Sequence, residues 1–368
     1  MLLKNNNQVL PLKEGTKVAV FGKAQIDYVK GGGGSGDVFC EYVRNIYDGL
    51  KQKTSIQVFD PLSLYYQDYV SRVYHGREDN GRLVEAEIPE TLLKEAAAFT
   101  DTAIITINRH SGDGADRKND GQVVYFELSN EEKTMVKTVC ENFAKVIVLL
   151  NTGAMIDTSW FADNSRIDAA LMIWQGGMEG GLAVVDILTG EVTPSGKLVD
   201  TCAKSFEDYP SSEGFHESED YVKYTEDIFV GYRYFETIPG MKERVIYPFG
   251  YGLSYTDFVL EKQTATMLGE EILISVTVKN GGAFAGKEVV QVYYSAPEGK
   301  ITKPARELCA FAKTKLLKPN ESKTLILRFA IKDMASYDDM GVVEKSAYVL
   351  EKGTYQFFVG SNVRDAEE

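Results

Sequence analysis

The chain has 368 residues, with 40 Lys and Arg against 54 Asp and Glu, a formal net charge of −14. Apolar residues make up 44% and charged residues 26%, ordinary globular values that exclude a disordered, collagenous or fibrous chain. The acidic balance argues against binding a phosphate backbone, so no nucleic-acid partner is expected. At roughly 100–200 residues per domain the length suggests two or three domains.

The opening, MLLKNNNQVLPLKEG, has no long apolar core and no small-residue cleavage site, so it does not read as a signal peptide. No run of about 18 apolar residues exists to cross a membrane. A cytoplasmic location is the expectation. Residues 17–22 (KVAVFG), 102–107 (TAIITI), 145–150 (KVIVLL) and 168–174 (DAALMIW) are short apolar runs rich in β-branched residues. Continuous runs of that kind fit strands of a parallel sheet covered on both faces. Helical patterns lie between them at 90–98 (ETLLKEAAA), 130–143 and 181–188 (GLAVVDIL). Ser129 is a cap for the second, with Glu131 and Glu132 in its first turn, and Gly190 stops the third. Alternation of strand and helix predicts an α/β domain with a doubly wound, mostly parallel sheet over residues 1–235.

The texture changes after about Tyr224. Residues 231–258 are dense in Tyr, Phe, Gly and Pro, which predicts a packed linker at 236–255. From 256 to 368 the pattern is all-β. Strands are expected at 272–279, 288–295, 307–313, 322–329 and 354–360, with a turn at 317–321 (LKPNE). About seven short strands in that length predict an immunoglobulin-like sandwich.

Three loops carry candidate chemistry. The first, 31–36 (GGGGSG), formally satisfies a dinucleotide-binding pattern, but eight residues separate it from the end of the first strand. No Lys-Ser/Thr pair follows, so it is not a nucleoside-triphosphate loop. It reads either as a flexible surface loop or as backbone brought close to a ligand where a Cβ would clash. The second, 109–118 (RHSGDGADRK), follows the strand at 102–107 and holds Asp113, Asp116 and Arg117. By itself it is a solvated turn. If it shares a sheet edge with the first loop, a carboxylate on it can act as a general acid or base. The third, QGGMEGG at 175–181, holds Glu179 at a helix start, where capping and packing compete with catalysis. The aromatic residues of 232–258 fit a domain seam better than a sugar platform. Four cysteines and three histidines are scattered without close pairs, so no metal site is expected, and the thiols read as reduced and buried.

Taken together these segments resemble glycoside hydrolase family 3, the β-glucosidase family. LLKNNNQVLPL, KGGGGSGD, SGDGADRK, QGGMEGGLAVVDILTGEVTPSGKL, IFVGYRYFE and YPFGYGLSYTDF look like family segments in the family's order. The last 110 or so residues, with RELCAFAKTKLLKPNESKTL, look like its fibronectin type III-like domain. The resemblance implies an α/β sandwich whose loop leans over a (β/α)8 barrel that carries the aspartate nucleophile. That barrel has no counterpart in these 368 residues. Some family members place the sandwich first and the barrel last, so the barrel is an expected partner on either side.

By the same resemblance Ser35, between Gly34 and Gly36, matches the serine that hydrogen-bonds the sugar on the non-reducing side of the cleaved bond. Asp113 falls where the family has its acid/base glutamate, one methylene shorter. It reads as a weakened acid/base, an introduced mutation or the mark of a degenerate site. Asp116 and Arg117 match residues expected to hold the loop's shape by an ion pair. The expected function is the non-barrel portion of a retaining β-glycosidase acting on a β-glucoside or β-linked oligosaccharide without cofactor. The alternative is a non-catalytic carbohydrate-binding or assembly module.

Overall fold

The computed structural model describes residues 1–53, 55–76, 79, 81–112, 126–214, 218 and 220–368. They form two compact units, Met1–Val192 and Thr193–Glu368.

The first unit runs β1 (Leu2–Asn5), β2 (Thr16–Phe21), α1 (Ile46–Gln52), β3 (Ile56–Val58), α2 (Asp60–Val73), α3 (Glu90–Phe99), β4 (Thr102–Arg109), α4 (Asn130–Asn142), β5 (Lys145–Thr152), α5 (Ser159–Ala162), β6 (Ala169–Met172) and α6 (Gly180–Thr189). One six-stranded sheet has the order β1-β6-β5-β4-β2-β3. Its strands are parallel except β1, which pairs antiparallel with β6 at the edge. The apolar runs explain the middle of the sheet. All eight residues of β4 are buried, and seven of eight in β5. Both faces are therefore covered, as a parallel sheet with helical crossovers requires. Ser129 accepts from the Glu132 amide and Glu132 accepts from the Ser129 amide, so a complete capping box starts α4. Gly190, left-handed at φ 77°, ends α6.

The chain leaves β2 toward β3 on one side, then returns to build β4, β5 and β6 on the other. The strand order thus reverses between β2 and β4. Ligands of open α/β sheets bind outside the carboxyl ends of the strands at such a switch point. The loops after β2 and β4 flank it.

The second unit runs β7 (Cys202–Ala203), α7 (Tyr232–Thr237), β8 (Val245–Tyr247), β9 (Phe258–Leu268), β10 (Glu271–Asn280), β11 (Val289–Ser295), β12 (Glu307–Lys313), β13 (Ser322–Ala330), β14 (Ser336–Asp338), β15 (Ala347–Val349) and β16 (Gln356–Gly360). Two three-stranded antiparallel sheets, β13-β10-β9 and β12-β11-β16, share one core. The residues of β10 alternate half-buried and buried along its whole length, placing Ile272, Ile274, Val276 and Val278 inside. The protein is thus an α/β domain followed by an antiparallel β-sandwich. The aromatic stretch belongs to this second unit. Tyr232 stacks on Phe249 with ring centroids 4.6 Å apart, and its hydroxyl accepts from the Leu308 amide at 2.8 Å. None of the four cysteines forms a disulfide. Cys140 and Cys202 are buried as expected, whereas Cys40 and Cys309 are partly exposed, because each lies where one side of the chain faces solvent.

Candidate active site

Four loops of the first unit converge at the carboxyl edge of the sheet. They follow β2, β4, β5 and β6. Their ties begin with polar residues that close apolar strands. Asn108 and Asn151 each sit in the last two positions of a buried strand, and both are 1% exposed. Asn151 accepts from the Val29 amide at 2.7 Å and donates to the carbonyls of Val29 (2.9 Å) and Trp174 (2.6 Å). It thereby joins the loop after β2 to the end of β6. Asn108 accepts from Lys23 Nζ at 2.5 Å and donates to the carbonyl of Asp27 and to its carboxylate. Lys23 and Asp27 are themselves paired at 3.3 Å, with side chains only 4% and 3% exposed.

The next link is backbone to backbone. Gly33 and Gly112 form an isolated parallel bridge, and the Gly33 amide donates to the Ser111 carbonyl at 3.2 Å. A Cβ on Gly112 would fall on the Gly33 backbone, so this approach needs glycine. The imidazole of His110 packs under Gly33 and is buried, and among the described residues its Nδ1 has no hydrogen-bond partner. Burial and then the nearby Arg82 cation lower its pKa, so the ring is neutral at pH 7.

The glycine-rich loop rises from this base. Lys30 Nζ bonds the Asp37 carboxylate at 2.6 Å and the Val38 carbonyl at 2.8 Å, closing the loop at its stem. Gly34, Ser35 and Gly36 form one 3-10 turn at the exposed tip, with Gly34 at φ 64°. Ser35 is therefore presented to solvent. A cleft of about 430 Å³ runs along the stem past Tyr28, Lys30, Asp37 and Phe39, and Ser35 does not line it.

Asp113, Asp116 and Arg117 lie outside the described residues, so their expected roles and the expected Asp116–Arg117 pair are not placed. Gly112, next in sequence to Asp113, is the residue bridged to Gly33. Glu179 precedes α6 and takes a 2.6 Å bond from the Tyr42 hydroxyl and a 3.0 Å contact from Arg44. That ties the third loop to residues 42–44 and is a packing role. The sequence reading missed Asn108, Asn151 and Trp174. The first two had a visible signal, a single amide closing each apolar run. Trp174 sits at φ 52°, a conformation costly for a bulky residue, and nothing in its neighbours announces it.

Among the described residues no three His, Cys, Asp or Glu stand together to hold a metal. No helix among them is long and apolar enough to cross a membrane. An acidic chain with a glycine loop bridged to a second loop at a sheet's switch point suits a neutral polar ligand better than an anion.

Residues 1–255 match the glycosyl hydrolase family 3 C-terminal domain. The chain belongs to glycosyl hydrolase family 3. Residues 288–363 also match a fibronectin type III-like domain. The family carries β-glucosidases among its members. Beta-glucosidase A of Butyrivibrio fibrisolvens is 52% identical over 99% of this chain and 48% of its own length. A beta-glucosidase of Ruminococcus albus is 44% identical over 99% of this chain and 38% of its own. The chain thus spans less than half the length of either curated relative. Among solved structures, a beta-glucosidase from Paenibacillus barengoltzii superimposes with a TM-score of 0.92 at 44% identity, covering 100% of this chain and 41% of that one. Beta-glucosidase 3B from Thermotoga neapolitana, solved in complex with α-D-glucose, gives 0.87 at 39%, covering 99% and 51%. The described residues hold no closed eight-stranded barrel.

Proposed function

We propose that this chain supplies the acid/base loop and part of the sugar subsite of a retaining β-glucosidase, completed by a (β/α)8 barrel. The observation that carries the reading is the Gly33–Gly112 bridge. It joins the loop that presents Ser35 to the loop that continues into Asp113. Ser35 hydrogen-bonds a sugar hydroxyl at its exposed tip. Asp113 protonates the glycosidic oxygen while the barrel's carboxylate attacks the anomeric carbon, then deprotonates the water that releases the sugar. Gly34 and Gly36 let the tip approach the sugar, and Asp116 with Arg117 shapes the second loop. The substrate is a β-glucoside or β-linked oligosaccharide, and no cofactor takes part. We propose an α/β family domain to about residue 235, a linker to 255 and the fibronectin-like sandwich to 368. That none of the four cysteines is in a disulfide supports a cytoplasmic setting.

The test combines this chain with a family 3 barrel. Asp113→Ala should depress turnover of glucosides with poor leaving groups far more than that of activated aryl glucosides, which need little protonation. Asp113→Glu should raise turnover of the former by restoring reach. The chain alone should turn over neither. Equal loss on both substrate types after Asp113→Ala would overturn the acid assignment.

A further inference from the structure

The last two residues of β4 point to opposite faces of the sheet, as strand alternation requires. Asn108 engages the stem of the glycine loop through Lys23 and Asp27. Arg109 engages the other side. Its Nη1 donates to the Asn108 carbonyl and to Glu132 Oε1, both at 2.7 Å. Its Nη2 donates to the Glu127 carbonyl at 2.8 Å and to Glu132 Oε2 at 2.7 Å. The guanidinium therefore bonds the outgoing stem at Asn108 and the returning stem at Glu127, with the first turn of α4 between them. Arg109 and Glu132 side chains are 8% and 6% exposed. Glu132 also accepts from the Ser129 amide at 2.9 Å; burial pushes its pKa up, but the hydrogen bonds and charge of Arg109, with the Ser129 amide and the Lys23 charge, together bring it below the ordinary value.

A buried ion pair is a weak source of stability, because desolvation offsets its attraction. What a planar bidentate pair does supply is fixed geometry. Here it is joined by two further ties within five residues. Asn108 is held to the loop after β2, and Gly112 is bridged to Gly33. We propose that Arg109 and Glu132 are positioning residues that clamp both stems of the segment between β4 and α4 and so set where its acid stands against the Ser35 loop. This rests on the reading of Asp113 as that acid.

A misplacement of about 1 Å can cost roughly 10²-fold in rate. Arg109→Lys keeps the charge but has one donor nitrogen and cannot reach both stems. In the barrel-completed enzyme it should lower kcat on cellobiose by about 10- to 100-fold, with KM changed less than about 2-fold and dinitrophenyl glucoside turnover lowered less than about 3-fold. Glu132→Gln should shift the same ratio in the same direction, by less. The double variant should be no worse than Arg109→Lys alone, because both act on one clamp. A variant that is merely destabilised loses activity equally on both substrates.

A second measurement uses the chain by itself and does not depend on Asp113. Amide exchange of a peptide spanning residues 28–38 reports the Gly33–Ser111 hydrogen bond. It should quicken by about 10-fold in Arg109→Lys or, should that variant not fold, detectably in Glu132→Gln, which keeps an oxygen for the Ser129 amide. Unchanged exchange in the folded variant overturns the clamp whatever the kinetics show. Quickened exchange with an unchanged substrate ratio, while Asp113→Asn remains sensitive to the leaving group, overturns its role in catalysis. If Asp113→Asn is itself insensitive to the leaving group, the acid reading fails and the catalytic role of the clamp fails with it.

Discussion

Strand β10 ends in the buried Asn280 and β4 carries the buried Asn108 one residue before its end, and the two ends are built differently. In β10 Asn280 bonds the turns around it. It donates to the carbonyls of Phe284 (2.7 Å) and Leu317 (2.9 Å) and accepts from Thr256 and the Gly282 amide. No charged side chain takes part. In β4 Asn108 bonds an ion pair from a different loop, and Arg109 beside it makes a second one. An antiparallel strand is continued by a turn, and one neutral amide satisfies its backbone. A parallel strand's carboxyl end opens into a long excursion, and here buried charge fixes where that excursion leaves and returns. Charge at a strand end therefore marks the loops that must hold a position, and the first unit is where the site is proposed.

The largest way to break this contrast is Asp27→Ala. It removes the carboxylate facing Lys23 and the acceptor of Asn108 in a setting only 3–4% exposed. Leaving a buried charge uncompensated costs about 3–5 kcal/mol. Both tryptophans, Trp160 and Trp174, lie in the first unit, so urea unfolding followed by tryptophan fluorescence reads that unit alone. A loss below about 1 kcal/mol would mean the charges at the end of β4 are dispensable to the fold.

The same end is also sensitive to pH, whereas Asn280 does not titrate. Glu85 accepts from the Lys23 and Ala86 amides at 3.1 and 2.9 Å. Burial outweighs the Lys23 charge and pushes its carboxyl up to about 7. A carboxyl raised in the folded state favours folding while protonated. Its contribution is intact below the unfolded value near 4.5 and is lost as pH rises to about 7. The loss amounts to about 3 kcal/mol between those limits. Glu85→Gln should flatten this window. Urea midpoints at pH 5 and pH 8 should differ less in the variant than in the parent, and an equal difference in both would show that Glu85 is not the group responsible.

Much of the fold was legible because it follows from local pattern. The apolar runs at 102–107 and 145–150 could only be buried strands, and the alternation of 272–279 could only be one face of a sandwich. Ser129 with Glu132 announced α4. By contrast β9 reads EKQTATML over its exposed half, with no apolar face to betray it, and α2 carries tyrosines and serine where a plain apolar stripe would be read. The compact units divide at Val192, earlier than the change of texture near Tyr224, because residues such as Thr193 and Lys197 already bond Ala285 and Glu288 of the second unit. The site was legible as two loops after two strands. The ties that join them, Asn108, Asn151 and the Gly33–Gly112 bridge, depend on neighbours distant in sequence.

The turn-directed end of β10 should be worth less. Asn280→Ala leaves the Phe284 and Leu317 carbonyls without that donor, and Thr256 and Gly282 without their acceptor. Unsatisfied buried groups cost about 1–3 kcal/mol each, partly relieved where water reaches the turn, so about 2 kcal/mol is expected. Far-UV circular dichroism in urea measures it. A cost equal to that of Asp27→Ala would erase the distinction between the two strand ends.

The smallest effect tests whether depth, and not charge itself, makes the clamp. Glu90 and Lys94 pair at 2.5 Å on α3, as close as any contact in the Arg109–Glu132 pair, but their side chains are 77% and 73% exposed. Hydration already satisfies both groups, and holding two long side chains together costs rotamer entropy. A solvent-exposed helical pair four residues apart contributes little and fades with salt. A double-mutant cycle with Glu90→Gln and Lys94→Met, read by urea unfolding in low and high salt, should return a small coupling that falls as salt is added. The same cycle on Arg109 and Glu132, with Arg109→Lys and Glu132→Gln, should return a larger coupling that salt barely moves, because ions do not reach it. If the two couplings match in size and salt response, burial is not what distinguishes them, and the charges at the end of β4 would be ordinary surface pairs in their energetics.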